Sequence, residues 1–561
     1  MSNPKKRVLG ALLVCVALLL AFAIGLTVHG EARTTKQITI LHTNDFHGNL
    51  QPDSSGRGGS AYIAGKVNEI RAEVGVDNVA LLDAGDVYFG GAPISSLLLG
   101  ESAIDIYNMM GYDAAAYGNH EFDKGQTVLI SRTNQSLFPW ISANIVISGT
   151  EWEHPSWTKP YITLTLGTPG DQIVLGVLGL STDETPVVTL KGTTEGLVFK
   201  DPTEAVLHYY DELKSQCDAM IVLAHIGSAD SGPYKGLRTI AQELIDAGKP
   251  VDLMIGGHSH ERIETPIMVG NTAIVSAWYA GRALGQVNAT VDFVHKKLIV
   301  NSYQLNLITT ATVTPDPTVA DRVAYWASVV QPILQQPVGY TNVNLVRDYN
   351  GESNVGDLVA DSMRWKADEY DDGVVNGSVD IAFTNAGGLR ADIVIPAGAT
   401  LPYTITWGDT YSVLPFANTL YLMDLTGAQI QQLLNQSASL YKGMLQVSGI
   451  TFKWYNDCRC NTPTRWGAFD IKVNGEPLDY SKTYRIVTNN FLAPGGDGFV
   501  TFAQGTNRWD TYYDMQQALN EYIQHYNATV GPIDYEVEGR ILYEEHYVYF
   551  FPLAFRSAVV R

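Results

Sequence analysis

A chain of 561 residues is too long for a single ordinary core, so two domains with short appendages are expected. At 45% hydrophobic and 17% charged residues, with no low-complexity tract and no heptad run, the composition is that of a globular body and excludes a fibrous or disordered one. A formal net charge of -21 excludes a nucleic-acid polymer as partner, and it means that any phosphate site must bring its own cations, as metals or buried arginines.

The chain starts with Lys5, Lys6 and Arg7, followed by an apolar run from Val8 to Val28, which is the layout of an export signal. Residues 1–33 are therefore expected to be either a signal cleaved near Gly30 or Ala32 or an uncleaved anchor, the run being long enough to span a bilayer. Either way the rest belongs outside the cytoplasm, secreted, periplasmic or on the cell surface, with that anchor as the membrane contact foreseen. Beyond the signal only Cys217, Cys458 and Cys460 remain, so no disulfide framework is expected. Cys458 and Cys460 are either a small bridged loop or two free thiols.

From residue 37 to 307 short apolar runs alternate with helical stretches, an α/β pattern with buried strands. Strands are predicted at 38–41, 79–84, 114–118, 174–180, 219–225, 252–257 and 273–277. Residues 308–343 read as a connection, with TPDPT at 314–318 opening a helix from Val319 to about Leu334. A second mixed unit spans 344–542, with helices near 355–368 and 427–437 and strands at 379–384 and 484–488. The tail, 543–561, is aromatic and basic but too short to cross a membrane; it is either a sorting or anchoring tail or a last strand with a frayed end.

Five segments of the first unit stand where a predicted strand ends: DFH at 45–47, GD at 85–86, GNHE at 118–121, AHIG at 224–227 and GHSH at 257–260. Open α/β sheets place their ligands at such ends. A lone His is more often a hydrogen-bonded core or surface residue, but Asp45, His47, Asp86, Asn119, His120, His225, His258 and His260 form a set. Carboxylates, imidazoles and an amide without thiolates suit zinc, manganese, cobalt or iron. One zinc takes three or four protein ligands, so this many point to two divalent ions, with Asp86 as the bridging carboxylate.

In order and spacing these segments resemble the calcineurin-like metallophosphoesterases. NAGGLR at 385–390, LPFAN at 414–418 and NNFLAPGGDG at 489–498 resemble the C-terminal domain of the 5′-nucleotidases, bacterial periplasmic UDP-sugar hydrolases and animal ecto-5′-nucleotidases among them. The resemblance covers the chain from about 37 to 542. It implies an N-terminal αββα sandwich joined by a linker helix to a smaller mixed α/β domain. It also implies one metal held by Asp45, His47, Asp86 and His260 and another by Asp86, Asn119, His225 and His258. His120, oriented by Asp123, is then a catalytic pair at the phosphate and leaving-group oxygen.

Phe416 and Phe491 match the aromatic positions that sandwich the base, Asn418 and Asp497 the polar positions near base and ribose, and Asn385 and Arg390 the phosphate side. The activity implied is hydrolysis of a nucleotide to nucleoside and phosphate by metal-bound hydroxide, in a monomer or homodimer. The alternatives are cleavage of 2′,3′-cyclic nucleotides, UDP-sugars or nucleoside polyphosphates in the same site, or a surface nucleotide-binding or adhesion protein. Two arginines of the family pattern are missing: bacterial members carry one where this chain has Asp357, animal members one where it has Gly351. Arg347 is the nearby cation expected to compensate.

Overall fold

The computed structural model describes residues 34–544 except 54, 190–191, 373–377 and 457–465. The N-terminal apolar run, the Cys458 and Cys460 pair and nearly all of the tail lie outside the described residues. Among those described, no helix is long and apolar enough to cross a membrane.

The first unit is four layers deep. One six-stranded sheet places the strands Thr35–Thr43, Val79–Asp83 and Ala114–Ala116 side by side and parallel; a second does the same with Ile173–Ser181, Ala219–His225 and Leu253–Ile255. The sheets face each other through Ile38, Ile40, Ala80 and Leu82 on one side and Leu175, Val177, Ile221 and Leu223 on the other. Both faces of each central strand are thus covered, which is why their sequences read as unbroken apolar runs. Helices Ser60–Val74, Glu101–Met110 and Gly125–Gln135 cover the outside of the first sheet, and Pro202–Gln216 and Leu237–Asp246 the outside of the second.

The long antiparallel hairpin Ala283–Asp292 and Lys297–Leu307, which joins the first sheet through Thr35–Thr43, is an addition to the predicted strands. Its alternating polar residues carry none of the continuous hydrophobicity that marks the buried strands.

The helix in the connection runs Pro317–Leu334 and starts on an Asp316 side chain that accepts from the Val319 N–H. It buries Val319, Val323, Trp326 and Val330 in the outer core of the first unit. Two residues later the strand Pro337–Thr341 pairs with Tyr403–Thr406 in the second unit. That unit holds a five-stranded mixed sheet between the helices Asn354–Asp372 and Met515–Thr529 on one face and Gly427–Ala438 on the other.

Candidate metal centre and interdomain cavity

Parallel pairing of Thr43 with Asp83 and of Asp83 with Ala115 ends three strands at one edge, and pairing of Ser181 with His225 ends two more opposite them. The loops that leave this edge are tied to one another by backbone: Asp45 N donates to Gly85 O, His47 N to Asp86 O and Gly257 N to Ile226 O. Asp45, His47, Asp86, His258 and His260 all have φ between 50° and 71°, a left-handed conformation that non-glycine residues seldom adopt. Strain of this kind survives where the surroundings dictate it, and it marks functional loops. Gly118 shows how tight the approach is, since a Cβ there would lie 2.1 Å from Asp86 Oδ1.

The side chains converge in three overlapping groups: Asp45, His47 and His260; His47, Asp86 and His120; Asp86, His225 and His258. His47 and His225 turn Nδ1 to the carbonyls of Phe89 and Ala84, at 2.7 and 2.8 Å, which leaves Nε2 of each as the ligating nitrogen. His225 Nε2 lies 3.0 Å from Asp86 Oδ2 and 3.2 Å from Asn119 Oδ1, while His47 Nε2 lies 3.0 Å from His260 Nε2. Acceptors crowded together in this way are stable around a cation. Burial opposes charging His225, yet Asp86 and Asp45 hold its pKa up at about 10, so the surrounding carboxylates favour positive charge at this spot. Burial pushes Asp45 up to about 7 and His47 down to about 3. The donor set and its geometry fit divalent-ion binding.

His120 stands beside this cluster, with Nδ1 2.8 Å from Asp123 Oδ2 and its backbone N–H donated to Asp86 Oδ1. Its ring stacks at 5.6 Å and 7° on Phe416 of the second unit, across whose ring Arg390 also lies, 5.5 Å from the centroid. Arg390 donates through Nε to Gly90 O of the first unit. The two units enclose a cavity of about 490 Å³. Asp86, Asn119, His120, Asp123, His258 and His260 line one side; Asn385, Arg390, Phe416, Asn418, Phe491 and Asp497 line the other. Asp45, His47 and His225 are buried behind the first group. Asn385 Nδ2 donates to Asp497 Oδ2 at 2.7 Å, which fixes both polar groups.

Residues 38–262 match the calcineurin-like phosphoesterase family and 335–504 the 5′-nucleotidase C-terminal domain family. A 5′-nucleotidase of Diplobatis ommata is 30% identical over 580 residues, which cover 95% of this chain and 93% of that protein. The chain belongs to the 5′-nucleotidase family. Within it, the trifunctional nucleotide phosphoesterase protein YfkN of Bacillus subtilis is 30% identical over 556 residues, 90% of this chain, and this chain spans 35% of that longer protein. The crystal structure of a 5′-nucleotidase precursor from Thermus thermophilus is 28% identical and superposes with a TM-score of 0.76, covering 91% of this chain and all of that one. As a member of the 5′-nucleotidase family with a calcineurin-like phosphoesterase unit, the protein is a metal-dependent phosphoester hydrolase.

One expectation tied to the missing family arginines is corrected. Arg347 does not line the cavity: its Nε is held 2.8 Å from Asp392, the carboxylate within its reach, and Nη1 turns to Leu389 O. Asp357 also lies away from the cavity, buried in the first turn of Asn354–Asp372 with Arg540 Nε at 3.7 Å. The lysine in the cavity wall from the second unit is Lys442, in contact with Glu184. Sequence reasoning also passed over Glu121, which accepts from the N–H groups of Asp86, Val87 and Gly118 and clamps two metal loops together. An acidic residue inside GNHEFD was its visible signal.

Proposed function

We propose that this protein is an extracytoplasmic 5′-nucleotidase that removes the phosphate of a nucleotide at a two-metal centre. The observation that carries the reading is the shared cavity, with a metal-type cluster on one wall and two phenylalanines with polar neighbours on the other. Asp45, His47, Asp86 and His260 would hold one ion and Asp86, Asn119, His225 and His258 the other. Such ions lower the pKa of water and take up phosphoryl charge.

The chain's own residues do the rest. Arg390, anchored on Gly90, offers guanidinium N–H groups to the phosphate. His120, with Nδ1 committed to Asp123, has Nε2 left to donate at the leaving-group oxygen. Phe416 and Phe491 hold the base by stacking, and Asn385 orients Asp497 towards the ribose hydroxyls. We place the joint between the units at Gln335 and Gln336, where the helix packed on the first unit ends and the first strand of the second begins. Export rests on the basic and apolar N-terminal sequence.

A second reading, hydrolysis of 2′,3′-cyclic nucleotides or nucleotide sugars in the same site, draws on the extension of the cavity to Tyr234 and Tyr441. One assay separates them: release of nucleoside, nucleotide and phosphate products, resolved by chromatography, from AMP, ATP, UDP-glucose and 2′,3′-cyclic AMP, with and without chelator and added Mn²⁺ or Zn²⁺, because opening the cyclic diester or splitting UDP-glucose leaves monoesters and frees no phosphate. Chelator-sensitive release, fastest from AMP, is expected; release that survives exhaustive chelation would sink the metal reading.

A further inference from the structure

Glu184 follows the strand Ile173–Ser181 and stands just before the short helix Thr185–Val188, with its side chain 1% exposed. Its two oxygens serve different parts of the molecule. Oε2 lies 3.2 Å from Nε2 of His258, which leaves Nδ1 of that ring for the group formed with Asp86 and His225. Oε1 accepts from Lys442 Nζ at 2.8 Å and from Tyr441 Oη at 3.0 Å, and both donors come from the second unit.

A carboxylate buried this deeply stays ionised and fixed only if donors surround it. In the first unit His258 is such a donor; the second unit adds the only lysine against Glu184 among the described residues. A carboxylate that accepts from the far nitrogen of a ligating histidine fixes the ring's orientation and raises its basicity, and losing it typically costs about 10–100-fold in metal affinity. The chain of contacts from Lys442 and Tyr441 through Glu184 to His258 therefore joins the seat of the second unit to one side of the metal centre.

We propose that Glu184 is a positioning residue that couples docking of the second unit to the affinity of the divalent-ion site containing His258. The coupling is reciprocal: the docked unit tightens the ion, and the ion tightens docking. The inference rests on the two-metal reading above, and the test separates the failure of one from the failure of the other.

Mn²⁺ binding to the whole protein, freed of metal and without substrate, is measured by titration calorimetry. The proteins are the wild type, Glu184→Gln, Lys442→Met, Tyr441→Phe, the double variant Glu184→Gln with Lys442→Met, and Lys472→Met as an exposed lysine control in the second unit. Expected are two Mn²⁺ in the wild type and in Lys472→Met. One of the two should weaken about five- to tenfold in Lys442→Met and Tyr441→Phe. Glu184→Gln should weaken the same ion about 10–100-fold, and the double variant no further, because the lysine acts through the carboxylate.

Mn²⁺ should also raise Tm less in Lys442→Met than in the wild type, a linkage that a merely structural defect would not produce. Wild-type affinity in both Lys442→Met and Tyr441→Phe, or losses that add in the double variant, would overturn the coupling while the metal centre stands. No Mn²⁺ bound by the wild type would overturn the metal reading and the coupling with it.

Discussion

His225 is fully buried, with one ring nitrogen on Ala84 O and the other between Asp86 and Asn119, so no neighbour can replace it. His225→Ala is expected to lower kcat by roughly 10³-fold or more while Tm in chelator stays within a few degrees; turnover within tenfold of wild type would remove His225 from the centre. Phe416 makes a less obvious case. A base-stacking phenylalanine should act through KM, but this ring also lies parallel to His120. Phe416→Ala is therefore expected to lower kcat about tenfold even on ribose 5-phosphate, which has no base, whereas Phe491→Ala leaves that substrate unaffected and raises KM for AMP. If Phe416→Ala turns over ribose 5-phosphate at the wild-type rate, the stack does not position the imidazole.

At the scale of elements, the strand-end motifs were legible because parallel strands whose loops carry Asp, His and Gly leave few other readings, and the strands themselves were continuous apolar runs. Glu184 and the stack of Phe416 on His120 left no local trace, since each acquires its meaning from a partner on the other unit. The helix Asn354–Asp372 shows the same limit: Asp357 looks like a lost phosphate contact in sequence, and the fold buries it beside Arg540 and Glu352 instead. Burial pushes its carboxyl from 3.8 up to about 8, opposed by Arg540 and helped by the Glu352 and Asp361 carboxylates. The folded chain then keeps a proton that the unfolded chain gives up above pH 4, so this group costs stability progressively as pH rises from about 4 to about 8. Asp357→Asn should flatten the fall of Tm with pH across that window and stabilise the protein at pH 8 by on the order of a few kcal/mol. An unchanged slope of Tm against pH would show that Asp357 is ionised in the fold.

The whole molecule sets a field against its proposed substrate. With 58 acidic against 37 basic residues, a nucleotide dianion approaches through a negative potential, and the cations it finally meets lie inside the cavity. Arg390 is turned partly to Gly90 O and Lys442 to Glu184, so neither projects a positive field far into solvent. Salt shortens the reach of the acidic surface from about 30 Å at 0.01 M to about 8 Å at physiological strength, while the contacts within the cavity are screened much less. Raising ionic strength across that range should therefore lower KM for AMP, on the order of two- to threefold, whereas steering by an attractive surface would raise it. Adenosine, which carries no charge, separates this field from a general effect of salt on stacking: its inhibition constant should stay flat over the same range. A KM for AMP that rises with salt would mean that the cations of the cavity govern the approach as well as the chemistry.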